Sequence, residues 1–167
     1  MTIEASKLIH LPIAAEDAMA KIGIITQIVI DPENGRILGF LVKTGFFGPP
    51  MALSIIDIHF WDKDGIVTKK EENLVPVTEI IRIQKVVDRK INLINMPAKT
   101  ETGKSLGIVE DFLIDTETAS ITKYYLRDIL NRTRIIAADK VVKIDKEIIF
   151  VDDKEKLGNI IPEIQIA

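Results

Sequence analysis

Two histidines and two pairs of carboxylates are the residues whose types could support acid–base or metal chemistry. His10 and His59 are the only histidines, and no carboxylate cluster has ligand spacing around either of them. A protein metal site needs three or four convergent ligands. We therefore predict that both histidines are strand residues with local hydrogen bonds, and that the chain has no metal site.

Two acidic pairs, Asp31 with Glu33 and Asp115 with Glu117, have a spacing that could serve acid–base catalysis or cation binding. A calcium loop needs more oxygen ligands in close succession than either pair supplies. An Asp that opens a turn instead accepts hydrogen bonds from its own backbone. We favour turn formation for both pairs.

Motifs for phosphate binding or nucleophilic attack are absent from the sequence. The segment 45–48 (Gly-Phe-Phe-Gly) lacks the Lys and Ser/Thr of a P-loop, and no Gly-x-Ser-x-Gly occurs. The chain has no cysteine, which excludes thiol nucleophiles and disulfides and fits a reducing compartment. We predict a protein that is not an enzyme and uses no cofactor.

The composition is that of a globular, strand-rich chain. Hydrophobic residues make up 47% and aromatic residues only 5%, and Ile and Val recur throughout, which favours strands. The net charge of -3 argues against binding nucleic acid mainly through phosphates. Because we find neither a secretory signal nor a run of about 18 apolar residues, we expect a soluble, cytoplasmic protein without a transmembrane segment.

An internal repeat organises the elements that position these residues. The segment 7–37 reappears, in the same order, as the segment 92–121. Equivalent positions with near-constant spacing are Pro12 and Pro97, Gly23 and Gly107, and Asp31 and Asp115. Such an ordered series predicts two duplicated small domains, each marginal alone and stabilised by packing on the other.

Each copy reads as a series of short strands. In the first copy, strands at 22–30 and 36–42 flank a turn with Asn34-Gly35, the residues that supply the positive φ of a hairpin. The equivalent turn, 115–119, has no glycine, so we predict another geometry there. Further strands are predicted at 53–60, 65–68, 133–144 and 147–151.

The segment 75–90 between the copies predicts a short amphipathic helix. Pro76 near its start, Thr78 as a cap and the apolar spacing that follows favour a helix over a strand, which stays open as the alternative. The predicted organisation is a first domain at 1–74, this connecting helix at 75–90, a second domain at 91–155 and a C-terminal tail at 156–167.

Both copies resemble the PRC-barrel domain, a small β-barrel named for the H subunit of the photosynthetic reaction centre. The resemblance rests on an opening Leu-x-x-x-Pro, a glycine entering the next strand, an apolar strand that ends in Asp, and a terminal hairpin. It implies a mainly β fold of two tandem barrels with a short connecting helix. It further implies a docking or adaptor role, since members of the family serve mainly as binding modules and share no catalytic residue.

The first loop (residues 44–51) is apolar and aromatic, with glycines and prolines that define its shape. Phe46, Phe47 and Met51 are its candidate partner-binding residues. They could form an exposed docking tip for a partner or a membrane surface. We favour the alternative that Phe46 and Phe47 fold back and close the end of the barrel, since small barrels need their interiors filled.

The second loop (residues 127–134) differs from the first in carrying Arg127, Arg132 and Arg134. These arginines could bind phosphates or an acidic protein surface. We favour the alternative of a solvated face balanced by Asp128 and Asp139.

The leading hypothesis is a non-catalytic binding module that presents loops or strand edges to a protein partner. The alternatives are an accessory factor in ribosome assembly or RNA processing, and a membrane-peripheral protein that docks through Phe46 and Phe47. A homodimer is possible, because edge strands of small barrels can pair between chains.

Overall fold

The computed structural model describes residues 1–152 and 160–161. The chain begins with β1 (Thr2–Glu4) and α1 (Ala5–Leu8). The first sheet follows as β2 (Pro12–Ala15), β3 (Ala20–Ile30), β4 (Ile37–Lys43), β5 (Met51–Ser54), β6 (Ile58–Asp62), β7 (Gly65–Thr68) and β8 (Leu74–Pro76). After α2 (Ile81–Asp88), the second sheet contains β9 (Pro97–Thr100), β10 (Ser105–Asp115), β11 (Ser120–Arg127), β12 (Thr133–Ala137), β13 (Val141–Ile144), β14 (Ile148–Phe150) and β15 (Ile160–Ile161).

The two sheets have the same strand order. The first runs β6-β7-β2-β3-β4-β5-β8 and the second runs β13-β14-β9-β10-β11-β12-β15. In each, one parallel pair, β2 with β7 and β9 with β14, joins the start of the copy to its terminal hairpin, and the other pairs are antiparallel. The predicted fold class, a mainly β tandem of two barrels of one type with a short connecting helix, is confirmed.

Equivalent bulges bend the longest strand of each sheet. The pairing of β3 with β4 shifts register between Ile25 and Gln27, and that of β10 with β11 shifts between Val109 and Asp111. An extra residue on one strand increases its local bend and twist. Each long strand can therefore pair with different neighbours at its two ends and curl the sheet.

Two of the predicted strands are interrupted, and at equivalent places. The segment predicted as one strand at 53–60 contains a 3-10 turn at Ile55–Asp57, and the segment at 133–144 contains one at Ala138–Lys140. Both turns change the direction of the chain between the central strands and the terminal hairpin. Apolar residues lie on both sides of each turn, so the apolar content of the two segments did not reveal the interruptions.

The two hairpin turns are more alike than the sequence predicted. Gly35 has φ +70, and its equivalent Ala119 has φ +50. Asp31 Oδ1 accepts the amide of Glu33 at 2.9 Å, and Asp115 Oδ1 accepts the amide of Glu117 at the same distance. The prediction of a different second turn is wrong, while the turn role of both carboxylates agrees with the structure.

Helix α2 begins after Ile80 and packs on the first sheet. Thr78 is not its cap, because it lies in a separate 3-10 turn at Val77–Glu79. The helix buries Ile83 and Val86. Of the segment 156–167, predicted as a tail, the structure describes only Ile160–Ile161, which pair as β15 with β12.

Candidate functional site

The tip of the first loop is exposed. Phe46 and Phe47, between β4 and β5, have 94% and 97% of their surface accessible. Lys43 at the end of β4 places its Nζ 5.5 Å from the centroid of the Phe46 ring, a cation–π distance. The favoured expectation that these two phenylalanines close the barrel end is therefore wrong.

Met51 is not part of the exposed tip. It opens β5, pairs with Val42 and Pro76, and its half-buried side chain packs against the hydrophobic core. The structure therefore separates it from Phe46 and Phe47, with which the sequence analysis grouped it.

The arginines of the second loop are largely engaged within the chain. Arg127 Nη1 lies 3.5 Å from Glu110 Oε1, and Arg132 Nε donates to Asp128 Oδ2 at 2.7 Å. Arg134 lies within β12, half-buried and paired with Leu126. The predicted charge balance is thus found for Asp128, whereas Asp139 lies beside Lys140.

Asp128 holds the second loop in shape. Its Oδ1 accepts the amides of Leu130 and Arg132, each at 2.9 Å. These amides, with the Arg132 guanidinium, stabilise the charged carboxylate, and the pKa of Asp128 is lowered, with the Arg132 amide the largest cause. Arg132 therefore serves the loop's own conformation.

Sequence reasoning missed the apolar tip of the second loop. Ile129 is 98% exposed and Leu130 is 68% exposed. Counted back from the strands that follow the loops, where Met51 is equivalent to Arg134, these residues align with Phe46 and Phe47. The contrast between an aromatic and a basic loop obscured a shared feature, which is two adjacent exposed apolar side chains at each tip.

The two loops lie at opposite ends of the molecule. At its centre, Arg36 and Ser120 form an antiparallel bridge, and the Ile37 amide donates to Ala119 O at 2.9 Å. From this contact β4 and β11 run in opposite directions. The seven residues of β4 span about 23 Å at about 3.3 Å per residue, so each tip is far from the contact between the halves.

The segment that precedes each copy crosses to the other copy. Ser6, in α1, donates its amide to Asp111 Oδ1 at 3.0 Å and its hydroxyl to the other carboxylate oxygen. At the equivalent position of the first copy, Gln27 Nε2 donates to Ile91 O at 3.2 Å. The core is correspondingly one cluster that contains residues of both copies.

His59 lies in a strand, β6, as predicted, but His10 lies in the turn between α1 and β2, so the strand prediction is wrong for His10. His10 has φ +73, and its amide donates to Ile25 O; its equivalent Asn95 has φ +65 and donates to Val109 O. His59 Nε2 lies 3.5 Å from Glu16 Oε1. Within residues 1–152, no group of three or more histidine or carboxylate side chains is placed to hold a metal ion.

Comparison with known proteins assigns the repeat to one family. The family model of the PRC-barrel domain matches the chain twice, over residues 1–92 and over residues 87–158. No curated protein matches the chain. Among the described helices, none has both the length and the apolar character to cross a membrane.

Proposed function

Because the chain belongs to the PRC-barrel domain family, we propose that it is a non-catalytic adaptor that docks protein partners at the two outer loop tips. One observation supports this most directly. Each copy places two adjacent apolar side chains at the end farthest from the other copy, and three of the four are more than 90% exposed. Largely exposed apolar side chains are stabilised when a partner covers them.

The placement of the tips favours a bridging role. Opposite ends of one rigid core can hold two partners apart without contact between them. Pro49 and Pro50 restrict the backbone of the first loop after Phe47, and Asp128 restrains the second loop. A loop that is ordered before binding loses less conformational entropy when it docks.

A protein partner explains these loops better than a membrane surface. Binding to anionic lipid is driven by free cations beside the apolar groups. Lys43 lies over the Phe46 ring, and Arg127 and Arg132 contact carboxylates. Tips that point in opposite directions also cannot enter one flat bilayer together.

A ribosomal or RNA-processing role rests on the family resemblance alone. The pI of about 5.5 and the carboxylate contacts of two loop arginines favour it less than a protein partner. Self-association through sheet edges stays a prediction, and size measurement in solution would test it.

The test uses photo-crosslinking residues at position 47, at position 130 and, as control, at Met19, which is 92% exposed but lies outside both loops. We expect the two tips to capture discrete proteins that the control does not capture. The purified partner of the first tip should bind the Phe46→Ser/Phe47→Ser variant about a hundredfold more weakly, since each buried side chain contributes at least about 1.5 kcal/mol. The Met19→Ser variant should bind as the wild type does.

Three outcomes would overturn this function. Unchanged affinity when both tips carry serines would remove the loops from the binding site. Sedimentation with anionic vesicles that is lost in the Phe46→Ser/Phe47→Ser variant would establish the membrane alternative. Salt-sensitive sedimentation with ribosomal particles would establish the ribosomal one.

A further inference from the structure

A cavity of about 130 Å³ lies between the two copies, on one side of their central contact. The hairpin turn of the first copy, residues 32–35, forms one wall. The opposite wall comes from the second copy and includes Tyr124, Ala138 and Ile144. Neither loop tip contributes to it.

The equivalent place in the first copy is filled by an indole. Trp61 pairs with Ile66 in the terminal hairpin, just as Ile144 pairs with Ile148 in the second copy. The Trp61 ring packs edge-on against Phe40 at 5.6 Å. Its Nε1 donates to the carbonyl oxygen of Thr116, in the opposing hairpin turn, at 3.1 Å. In the first copy, an aromatic ring therefore joins the sheet to the turn of the other copy.

Three substitutions between the copies remove volume at this place. Ile144 is equivalent to Trp61, Ala138 to Ile55, and Gly35 to Ala119. At these three positions, the residue at the cavity is smaller than its equivalent in the filled copy. The cavity opens to solvent, since its lining includes the exposed residues Val142 and Lys143. Three reductions around one space are the reason that the cavity exists on this side of the molecule.

Tyr124, the equivalent of Phe40, adds a hydroxyl at the cavity. Its ring is 1% exposed and packs against Phe112 and Phe150. The hydroxyl oxygen lies 3.9 Å from the position that a Cβ on Gly35 would occupy, so it faces the turn. Burial raises the pKa of Tyr124, which keeps the hydroxyl neutral and able to donate. Within residues 1–152, none of the hydrogen bonds described includes this hydroxyl.

We propose that this cavity is a binding site for one compact, neutral aromatic ring that carries a hydrogen-bonding group. A cavity of about 150 Å³ accepts benzene, so this cavity has the volume for one small ring. Its lining also includes the polar side chains of Glu33, Asn34 and Lys143. The ring takes the place that the Trp61 indole has in the first copy. Tyr124 supplies a hydrogen bond, and the carbonyl of Pro32, equivalent to that of Thr116, supplies an acceptor at the turn.

The test is a titration of the protein with phenol, a single ring with one hydroxyl, followed through the methyl NMR signals of Ile121, Ala138 and Ile144. We expect saturable shifts at these methyls, with a stoichiometry of one. Ile144→Trp, which restores the residue of the filled copy, should abolish the shifts. Tyr124→Phe should keep the cavity and weaken binding about fivefold to tenfold, the effect of one hydrogen bond.

Two further variants keep the result interpretable. Ala138→Ile reduces the cavity from the opposite side, so it should also prevent binding if Ile144→Trp does not fold. Met19→Trp adds an indole at an exposed position outside both loops and outside the cavity, and should leave the affinity unchanged. The proposal would be overturned if the wild-type protein showed no saturable shifts. It would also be overturned if Ile144→Trp or Ala138→Ile folded and bound the probe as tightly as the wild type does. Serines at the loop tips should not alter the titration, which separates this site from partner docking.

Discussion

The two copies cover the end of their longest strand in different ways. In the second copy, β1 extends the sheet and pairs with the end of β10, with Ile3 opposite Ile114. In the first copy, α2 lies against β3 and β4, and Arg82 donates to Asp31 at 2.8 Å. In both cases the covering segment therefore precedes the opposite copy, as the duplication predicts. Its secondary structure differs, since it is the strand β1 in one case and the helix α2 in the other.

A single pair of equivalent residues helps to explain how α2 packs closely on the first sheet. Gly39 of β4 has no side chain, and a Cβ there would lie 2.3 Å from Leu53 O and 2.9 Å from Ile83 Cδ1. Its equivalent in β11 is Lys123. A helix can therefore approach the first sheet closely at Gly39, whereas the lysine at Lys123 would obstruct the same approach in the second copy.

The largest expected loss of stability comes from truncating the buried side chains of the two covering segments, Ile83 in α2 and Ile3 in β1. Ile83→Ala in α2 should lower the free energy of unfolding by about 3–4 kcal/mol, and Ile3→Ala in β1 by about 2 kcal/mol, since Ile83 is fully buried and Ile3 is 6% exposed. Chemical denaturation measures both. Because the copies share one core, each variant should still unfold in a single transition. Two separate transitions would show that the copies are stabilised independently.

The reciprocal hydrogen bonds of the crossing segments should differ in strength. Asp111→Ala removes a charged acceptor of two hydrogen bonds from Ser6 and should cost about 1–2 kcal/mol. Gln27→Ala removes one neutral hydrogen bond and should cost about 0.5–1 kcal/mol. Denaturation curves of the two single variants provide the comparison. If the two variants lost equal unfolding free energy, the contact of Ser6 with Asp111 would not be the stronger of the two.

Alkaline pH should distinguish Tyr124 from its equivalent Phe40. The unfolded chain releases the tyrosine proton near the ordinary value of 10.0, whereas burial keeps the folded-state pKa of Tyr124 higher. The unfolded state therefore binds fewer protons above pH 10, and stability should fall there by about 1.4 kcal/mol per pH unit. The measurement is denaturation between pH 9 and 11. Tyr124→Phe should remove this dependence, while Tyr125→Phe, at a less buried position, should retain it.

The smallest effect on stability is expected at the loop tips. Phe46→Ser/Phe47→Ser and Ile129→Ser/Leu130→Ser should each change the unfolding free energy by less than about 0.5 kcal/mol, because these side chains contact solvent. Thermal unfolding tests this directly. If either pair of substitutions lowered the unfolding free energy by several kcal/mol, the loop tip would pack within the fold, as it would if Phe46 and Phe47 closed the end of the barrel.

Some features of the candidate site could be predicted from the sequence. Gly-Phe-Phe-Gly identified the first loop, and the spacing of Asp31 and Asp115 identified the hairpin turns. Sequence could not determine whether Phe46 and Phe47 are buried, since that depends on which residues from distant strands fill the barrel. Ile129 and Leu130 were overlooked because the neighbouring arginines dominated the interpretation of that loop.

The sequence by itself determined the duplication, the strand-rich composition, the hairpins and the segment that forms α2. These features depend on local spacing, backbone preferences and the order of short motifs, all of which can be read along one chain. Only the tertiary structure decided that the preceding segments cross between copies, that Trp61 fills one place while a cavity remains at its equivalent, and that the loop tips are exposed. Burial is a property of residues far apart in sequence, and two copies with the same local pattern can satisfy it differently.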